Sequence, residues 1–107
     1  MPASAWLDIG RYEPAVTLLA LTGLPALLTF GERDYQVGID EKRLWEQRIG
    51  DRPDTTIVAF PGLNHLLIEG EGPMSPVEYS RPGHVAPMLI DTLVRWIQER
   101  SVAARAC

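Results

Sequence analysis

The sequence predicts an α/β fold built on one β-α-β unit, with two parallel strands and flanking N- and C-terminal helices. Two short apolar runs, Ala26–Phe30 and Thr56–Phe60, are each bounded by glycine or proline and indicate strands. A helical segment, Asp40–Ile49, separates them, and helical periodicity returns over Val85–Ile97. Because connections between parallel strands are almost always right-handed, we expect a right-handed crossover.

The first helix and the first strand lie in an uncharged stretch of the chain. A helix is predicted over Pro14–Leu21, since proline suits the first turn and Gly23 follows the end. The strand Ala26–Phe30 comes next and is apolar apart from Thr29. Such a run is typical of a parallel strand that is covered on both faces.

The crossover helix and the second strand have clear boundaries. Leu44 and Trp45 give Asp40–Ile49 a modest apolar stripe, and Gly50 ends this helix. The strand Thr56–Phe60 is rich in β-branched residues and ends at a Pro-Gly pair.

The final helix has the most regular pattern in the chain. Its apolar residues recur at i, i+3, i+4, i+8, i+11 and i+12, namely Val85, Met88, Leu89, Leu93, Trp96 and Ile97. Two strands and three helices make a poor independent sheet. The strand Ala26–Phe30 would leave an apolar edge unpaired. We therefore expect self-association through Ala26–Phe30 to be favoured.

Composition limits the class of protein. The 107 residues suit one small domain, 1–107, with 46% hydrophobic and 22% charged residues. The net charge is 10 − 14 = −4, without a basic cluster, so nucleic acid is not an expected partner. The single cysteine, Cys107, and an N-terminus without signal-peptide features suggest the cytoplasm. The uncharged stretch Pro14–Phe30 has 17 residues, fewer than the roughly 20 of a spanning helix, so no membrane segment is expected.

An aspartate and a histidine follow the two strands. Asp34 comes after Ala26–Phe30, and His65 comes after Thr56–Phe60. Parallel strands end at the same edge of a sheet, so the two side chains should lie side by side where open α/β sheets bind ligands. A carboxylate and a histidine in this order are two members of a Ser-His-Asp triad. Spacing alone also permits a turn-forming aspartate and an ordinary loop histidine.

The remaining polar residues give weaker signals. No G-x-S-x-G motif occurs in the 107 residues, and Ser75 lies in a Gly- and Pro-rich loop where serine usually forms turns. His84 is interpreted as a surface or capping residue. No metal-ligand spacing is present, and no metal or cofactor is expected. Three glutamates of the loop after His65 are interpreted as solvated charges: Glu69, Glu71 and Glu78.

Several longer motifs closely resemble bacterial carboxylesterases of the α/β-hydrolase superfamily, in the branch related to dienelactone hydrolases. They are Gly-Glu-Arg-Asp-Tyr-Gln-Val at 31–37, Pro-Gly-Leu-Asn-His-Leu at 61–66 and Gly-Glu-Gly-Pro-Met-Ser-Pro-Val-Glu-Tyr at 70–79. The resemblance extends over about Pro2 to Ile97 and is to the C-terminal segments of those enzymes. It implies a partial α/β-hydrolase fold in which Asp34 is the triad acid and His65 the triad base.

The resemblance implies the C-terminal part of a serine carboxylester hydrolase that acts on small ester substrates. The nucleophile elbow of that family and most of its sheet are absent here, so triad-dependent hydrolysis by this chain alone is not expected. Two alternatives remain open. One is a non-enzymatic remnant that associates through its exposed strand edge, and the other is one half of a split hydrolase.

Overall fold

The computed structural model describes the backbone of residues 2–106 and the side chains of residues 2–101. The elements in chain order are α1 (Ala3–Arg11), α2 (Pro14–Ala20), β1 (Ala26–Gly31), α3 (Ile39–Ile49), β2 (Thr55–Phe60), a 3₁₀ turn (Pro76–Ser80) and α4 (Pro87–Ala106). The strands β1 and β2 pair in parallel, with Ala26 opposite Thr55 and Gly31 opposite Phe60. This pairing confirms the predicted α/β unit, in which α3 connects the two strands.

Two elements differ from the sequence-based expectation. The helix α1 was not predicted: it has only nine residues and contains Gly10, which disfavours a helix, and none of its residues is buried. The final helix begins at Pro87 rather than near Val85, which instead forms an antiparallel bridge with Ile68. The bridge keeps Val85 extended, and proline is well suited to start the helix that follows.

The core lies beneath the loop that follows β2. Phe60 at the end of β2 packs with Leu63 from that loop, with Ala86 just before α4 and with Leu89 in the first turn of α4. Val58 and Leu67 pack against the same cluster. Leu63 and Leu67 flank His65 in sequence, so this cluster holds the segment around His65.

Most of the apolar face of α4 remains exposed. Leu89 is buried, whereas Met88, Leu93 and Ile97 have relative exposures of 42%, 38% and 56%. The periodicity therefore predicted the helix correctly, but β2 and the loop after it are too small to cover its apolar face. No helix in the described part of the chain is both long and apolar enough to cross a membrane.

Arg52 joins the end of α2 to the beginning of the sheet. Its guanidinium donates hydrogen bonds to the carbonyl oxygens of Leu18, Leu21 and Leu24 at 3.1, 2.8 and 2.7 Å. It also donates to the Thr55 hydroxyl at 2.7 Å. A helix leaves its last carbonyl groups without intrahelical partners, and one planar side chain satisfies several acceptors here.

Replacing Arg52 by lysine should destabilise the chain. An ammonium group lacks the planar fork that reaches these acceptors together, so Arg52→Lys should lower the free energy of unfolding by about 1–3 kcal/mol. Urea denaturation followed by circular dichroism measures this change. Arg48→Lys, at an exposed position of α3, is the matched control and should have little effect. Equal effects of the two substitutions would contradict the assigned role.

Candidate active site

The loops that follow the two strands bring an aspartate and a histidine into contact. Asp34 lies three residues beyond β1, and His65 lies five residues beyond β2. His65 Nδ1 is 2.8 Å from Asp34 Oδ2. The structure thus places together the two residues that the sequence analysis selected, at the carboxyl edge of the parallel pair.

The second oxygen of Asp34 is held by the backbone. Asp34 Oδ1 accepts hydrogen bonds from the amides of Gln36 and Val37 at 2.8 and 2.9 Å. Burial alone would raise the pKa of this carboxyl, but the Val37 amide, the His65 side chain and the Gln36 amide outweigh it and lower the pKa below its ordinary value. The side chain is only 8% exposed. Asp34 is therefore a fixed, ionised acceptor at neutral pH.

Ionisation of Asp34 fixes the tautomer of His65. A carboxylate can only accept hydrogen bonds, so the ring nitrogen beside it, Nδ1, must carry a proton. In the neutral imidazole, Nε2 then has a free lone pair and can accept a proton from another group. The His65 side chain is 37% exposed, which leaves the ring accessible at the protein surface.

The two site loops approach each other at Gly31. A Cβ atom at this position would lie 2.5 Å from the carbonyl oxygen of Leu63 and 2.8 Å from that of Asn64. Glycine is therefore required by the close approach of the two backbones. The Arg33 amide then donates to the Leu63 carbonyl at 2.9 Å, so the two loops are hydrogen-bonded directly to each other.

Asn64 shapes the loop that carries His65. Its side chain is buried, with 1% relative exposure, and Oδ1 accepts from the amides of Leu66 and Ile68 at 2.9 and 3.1 Å. Leu67 in this turn has φ +63°, a conformation that non-glycine residues adopt only where neighbouring contacts enforce it. The buried amide of Asn64 supplies such contacts and fixes the direction of the His65 backbone.

Glu78 was interpreted from sequence as a solvated charge, and that interpretation is wrong. Its side chain is 15% exposed, and Oε2 lies 2.9 Å from Arg33 Nη2. Its other oxygen, Oε1, accepts from Asn64 Nδ2 at 3.3 Å. The Arg33 hydrogen bond is the main cause that lowers the pKa of Glu78. The Glu78 side chain is largely buried because the 3₁₀ turn directs it toward the site loops.

Two tyrosines lie beside the aspartate. The rings of Tyr35 and Tyr79 are 6.3 Å apart between centroids and tilted by 44°. Desolvation and the neighbouring Tyr35 side chain raise the pKa of Tyr79 to about 12. Tyr79 is therefore a neutral phenol at physiological pH and adds no negative charge near Asp34.

The other candidate residues, Ser75 and His84, are not part of the Asp34–His65 pair. Ser75 immediately precedes the 3₁₀ turn, and its amide donates to Glu78 at 3.3 Å. His84 is exposed and precedes α4 by three residues. Among the described residues, no group of three or more histidine, cysteine, aspartate or glutamate side chains is arranged to hold a metal ion.

Sequence reasoning missed Asn64 and Glu78 as parts of the site. A signal for Glu78 was present, since Ser75-x-x-Glu78 has the spacing of a helix-capping box, in which the glutamate reaches back to the chain. Asn64 offers no such pattern. An asparagine soon after a Pro-Gly pair is typical of a turn, and only the structure shows that its side chain is buried.

The fold and the site define an α/β segment that presents an ionised acid and a histidine at the edge of its parallel sheet. No protein-family model matches the chain, and no solved structure matches it. The chain is similar to Esterase EstD of Thermotoga maritima, with 42% identity over 96 residues. The matched region is 90% of this chain and 23% of EstD, so the chain spans about a quarter of the length of this relative.

Asp34 should make stability depend on pH in the acidic range. The pKa of Asp34 is lowered in the folded state from its ordinary value of 3.8. Its contribution to stability is therefore complete at pH values above this ordinary pKa, and it is lost as the pH falls through the lowered pKa of the folded state. The difference in unfolding free energy between wild type and Asp34→Asn should therefore be constant near neutrality and should shrink below about pH 4.

Urea denaturation at a series of pH values measures this difference. Asp91→Asn, at an exposed position of α4, is the matched control and should show no comparable trend. A difference between wild type and Asp34→Asn that grows as the pH falls would contradict the assigned environment of Asp34.

Proposed function

We propose that this chain is the C-terminal part of a serine carboxylester hydrolase with an α/β-hydrolase fold, and that it supplies the triad acid Asp34 and the triad base His65. The observation that carries the proposal is the 2.8 Å contact between His65 Nδ1 and an Asp34 carboxylate that two backbone amides hold ionised. The similarity to part of an esterase supports the same conclusion. The resemblance of its motifs favours the dienelactone-hydrolase-related branch.

The proposed chemistry follows from the tautomer of His65. Nε2 takes the proton of a serine hydroxyl supplied by residues outside this chain, and the serine oxygen bonds to the ester carbonyl carbon. Asp34 stabilises the imidazolium that forms. His65 then gives the proton to the departing alcohol oxygen as the C–O bond of the ester breaks. Water attacks the acyl-enzyme by the same route and releases the carboxylic acid and the serine.

This scheme needs no cofactor or metal, and its substrate is a small carboxylic ester. Residues 1–107 form one partial domain of the whole catalytic unit, because the sequence lacks the G-x-S-x-G elbow. The chain alone should therefore show no triad-dependent hydrolysis. A cytoplasmic location is part of the proposal and is supported by the single cysteine.

A graft into the similar esterase tests the proposal. The 96 matched residues of Thermotoga maritima EstD are replaced by those of this chain, and hydrolysis of p-nitrophenyl butyrate is measured. We expect an active graft in which Asp34→Asn or His65→Ala lowers kcat by about 10⁴-fold or more, since each change removes the base or its correct tautomer.

The chain provides matched controls for both substitutions. Asp91→Asn and His84→Ala lie at exposed positions of the same segment and should leave kcat within about twofold of the unmodified graft, since surface changes have small effects. A graft that keeps the thermal melting profile of EstD but is inactive would contradict the proposal. Activity that survives His65→Ala would also contradict it.

The exposed edge of β1 favours a second candidate, self-association, and also a split hydrolase whose other half pairs along this edge. Within the described residues, β1 has β2 as its single neighbour. The amides of Ala26 and Glu32 donate to carbonyls on the β2 side, so the alternating amides of Leu27 and Thr29 point to the outer edge. An unpaired edge of this kind can recruit another strand.

Proline at position 29 should block such pairing. Thr29→Pro removes an outward N–H without removing a bond to β2, so it should shift the chain from an oligomer to a monomer in sedimentation velocity. Thr29→Val retains the amide and is the control, which should sediment as the wild type does. A wild-type chain that is monomeric, or a proline variant that associates equally, would rule out the β1 edge as the contact.

A further inference from the structure

Glu78 contacts the residues that immediately precede both members of the Asp34–His65 pair. We infer that Glu78 is a positioning residue, which sets the relative placement of the acid and the base without touching either one. The inference rests on the proposed function, since it concerns the same pair. One carboxylate contacts both loops, and each contact fixes the backbone of one of them.

The first contact acts on the histidine loop. Glu78 Oε1 accepts from Asn64 Nδ2 at 3.3 Å, which orients the Asn64 amide with Oδ1 toward the loop. In that orientation Oδ1 accepts from the amides of Leu66 and Ile68. These two bonds span His65, so the position of its backbone depends on the orientation that Glu78 gives to Asn64.

The second contact acts on the aspartate loop. Glu78 Oε2 lies 2.9 Å from Arg33 Nη2, and the Arg33 side chain is 9% exposed. Arg33 also donates to the carbonyls of Gly72 and Glu71 at 2.7 and 3.1 Å. The absence of a side chain at Gly70 provides space for this guanidinium, because a Cβ there would collide with Arg33 Nη1. Arg33 is thus fixed next to Asp34.

A carboxylate suits this position better than an amide would. Glu78 accepts hydrogen bonds from Asn64, Arg33 and the Ser75 amide, and it donates none. An ionised carboxylate offers about four acceptor sites on two oxygens, whereas glutamine has one acceptor oxygen and one donor nitrogen. With glutamine, the nitrogen would face either the Asn64 amide or the Arg33 guanidinium, and one of the two links would be lost.

Nuclear magnetic resonance of the 15N-labelled 107-residue chain tests this role. The readouts are the ring nitrogen shifts of His65 and the low-field signal of its Nδ1 proton, which report the tautomer and the hydrogen bond to Asp34. We expect Glu78→Gln to lose the low-field signal while circular dichroism and amide dispersion stay as in the wild type. Glu71→Gln, at an exposed position of the same loop, should retain the signal.

A second isosteric variant acts on the same link from the other side. Asn64→Asp keeps the acceptor for Leu66 and Ile68 but replaces the donor that faces Glu78, so it should also lose the signal. Retention of the signal in both folded variants, or its absence from the wild type, would overturn the positioning role. Unfolding of the chain by both substitutions would also overturn it, since Glu78 would then be needed only for folding.

The outcome separates this inference from the proposed function. Loss of the signal in Glu78→Gln together with an inactive EstD graft would defeat the function and leave the positioning role in place. Retention of the signal in Glu78→Gln together with an active graft would defeat the positioning role alone.

Discussion

Parallel pairing of β1 with β2 is the constraint on which the rest of this structure depends. In a parallel pair both strands end at the same edge, so residues separated by about thirty positions in sequence leave the sheet side by side. The pairing register continues to the last residues of both strands, Gly31 and Phe60, which places the two following loops in direct contact. A shift of the register by one residue would separate Asp34 from His65 and reverse the faces of every side chain in one strand.

Polar groups, rather than apolar packing, determine the detailed geometry at this edge. Asn64 and Arg33 are almost fully buried, and burial of polar groups is tolerated only when hydrogen bonds replace those to water. Glu78 accepts hydrogen bonds from both residues, and the carbonyl groups of Glu71 and Gly72 also accept from Arg33. The apolar cluster of Phe60, Leu63, Ala86 and Leu89 lies below and gives the loop a rigid base. The apolar cluster and the polar groups that fix the site geometry are thus different sets of residues, although they lie next to each other in the structure.

The sequence predicted the elements whose signals are local and strong. The two apolar runs became strands, the periodic segment became α4, and positions after the strand ends placed Asp34 beside His65. The burial of Glu78 could not be predicted, because a glutamate in a loop rich in glycine and proline has no periodic pattern. Its environment depends on Arg33, forty-five residues earlier in the chain. Helix α1 also escaped prediction, since it is short and contains Gly10, which disfavours a helix.

The core cluster has a consequence for the order in which the chain can fold. Its members all come from the segment between Phe60 and Leu89, and the antiparallel bridges Leu63–Glu69 and Ile68–Val85 lie within the same segment. The entropic cost of closing a loop rises with its length, so the two bridges, which close shorter loops, form at lower cost than the pairing of β1 with β2 across α3. The His65 loop belongs to this segment, whereas Asp34 reaches it only when β1 docks. This topology therefore favours folding of the loop that carries His65 before Asp34 is brought beside it.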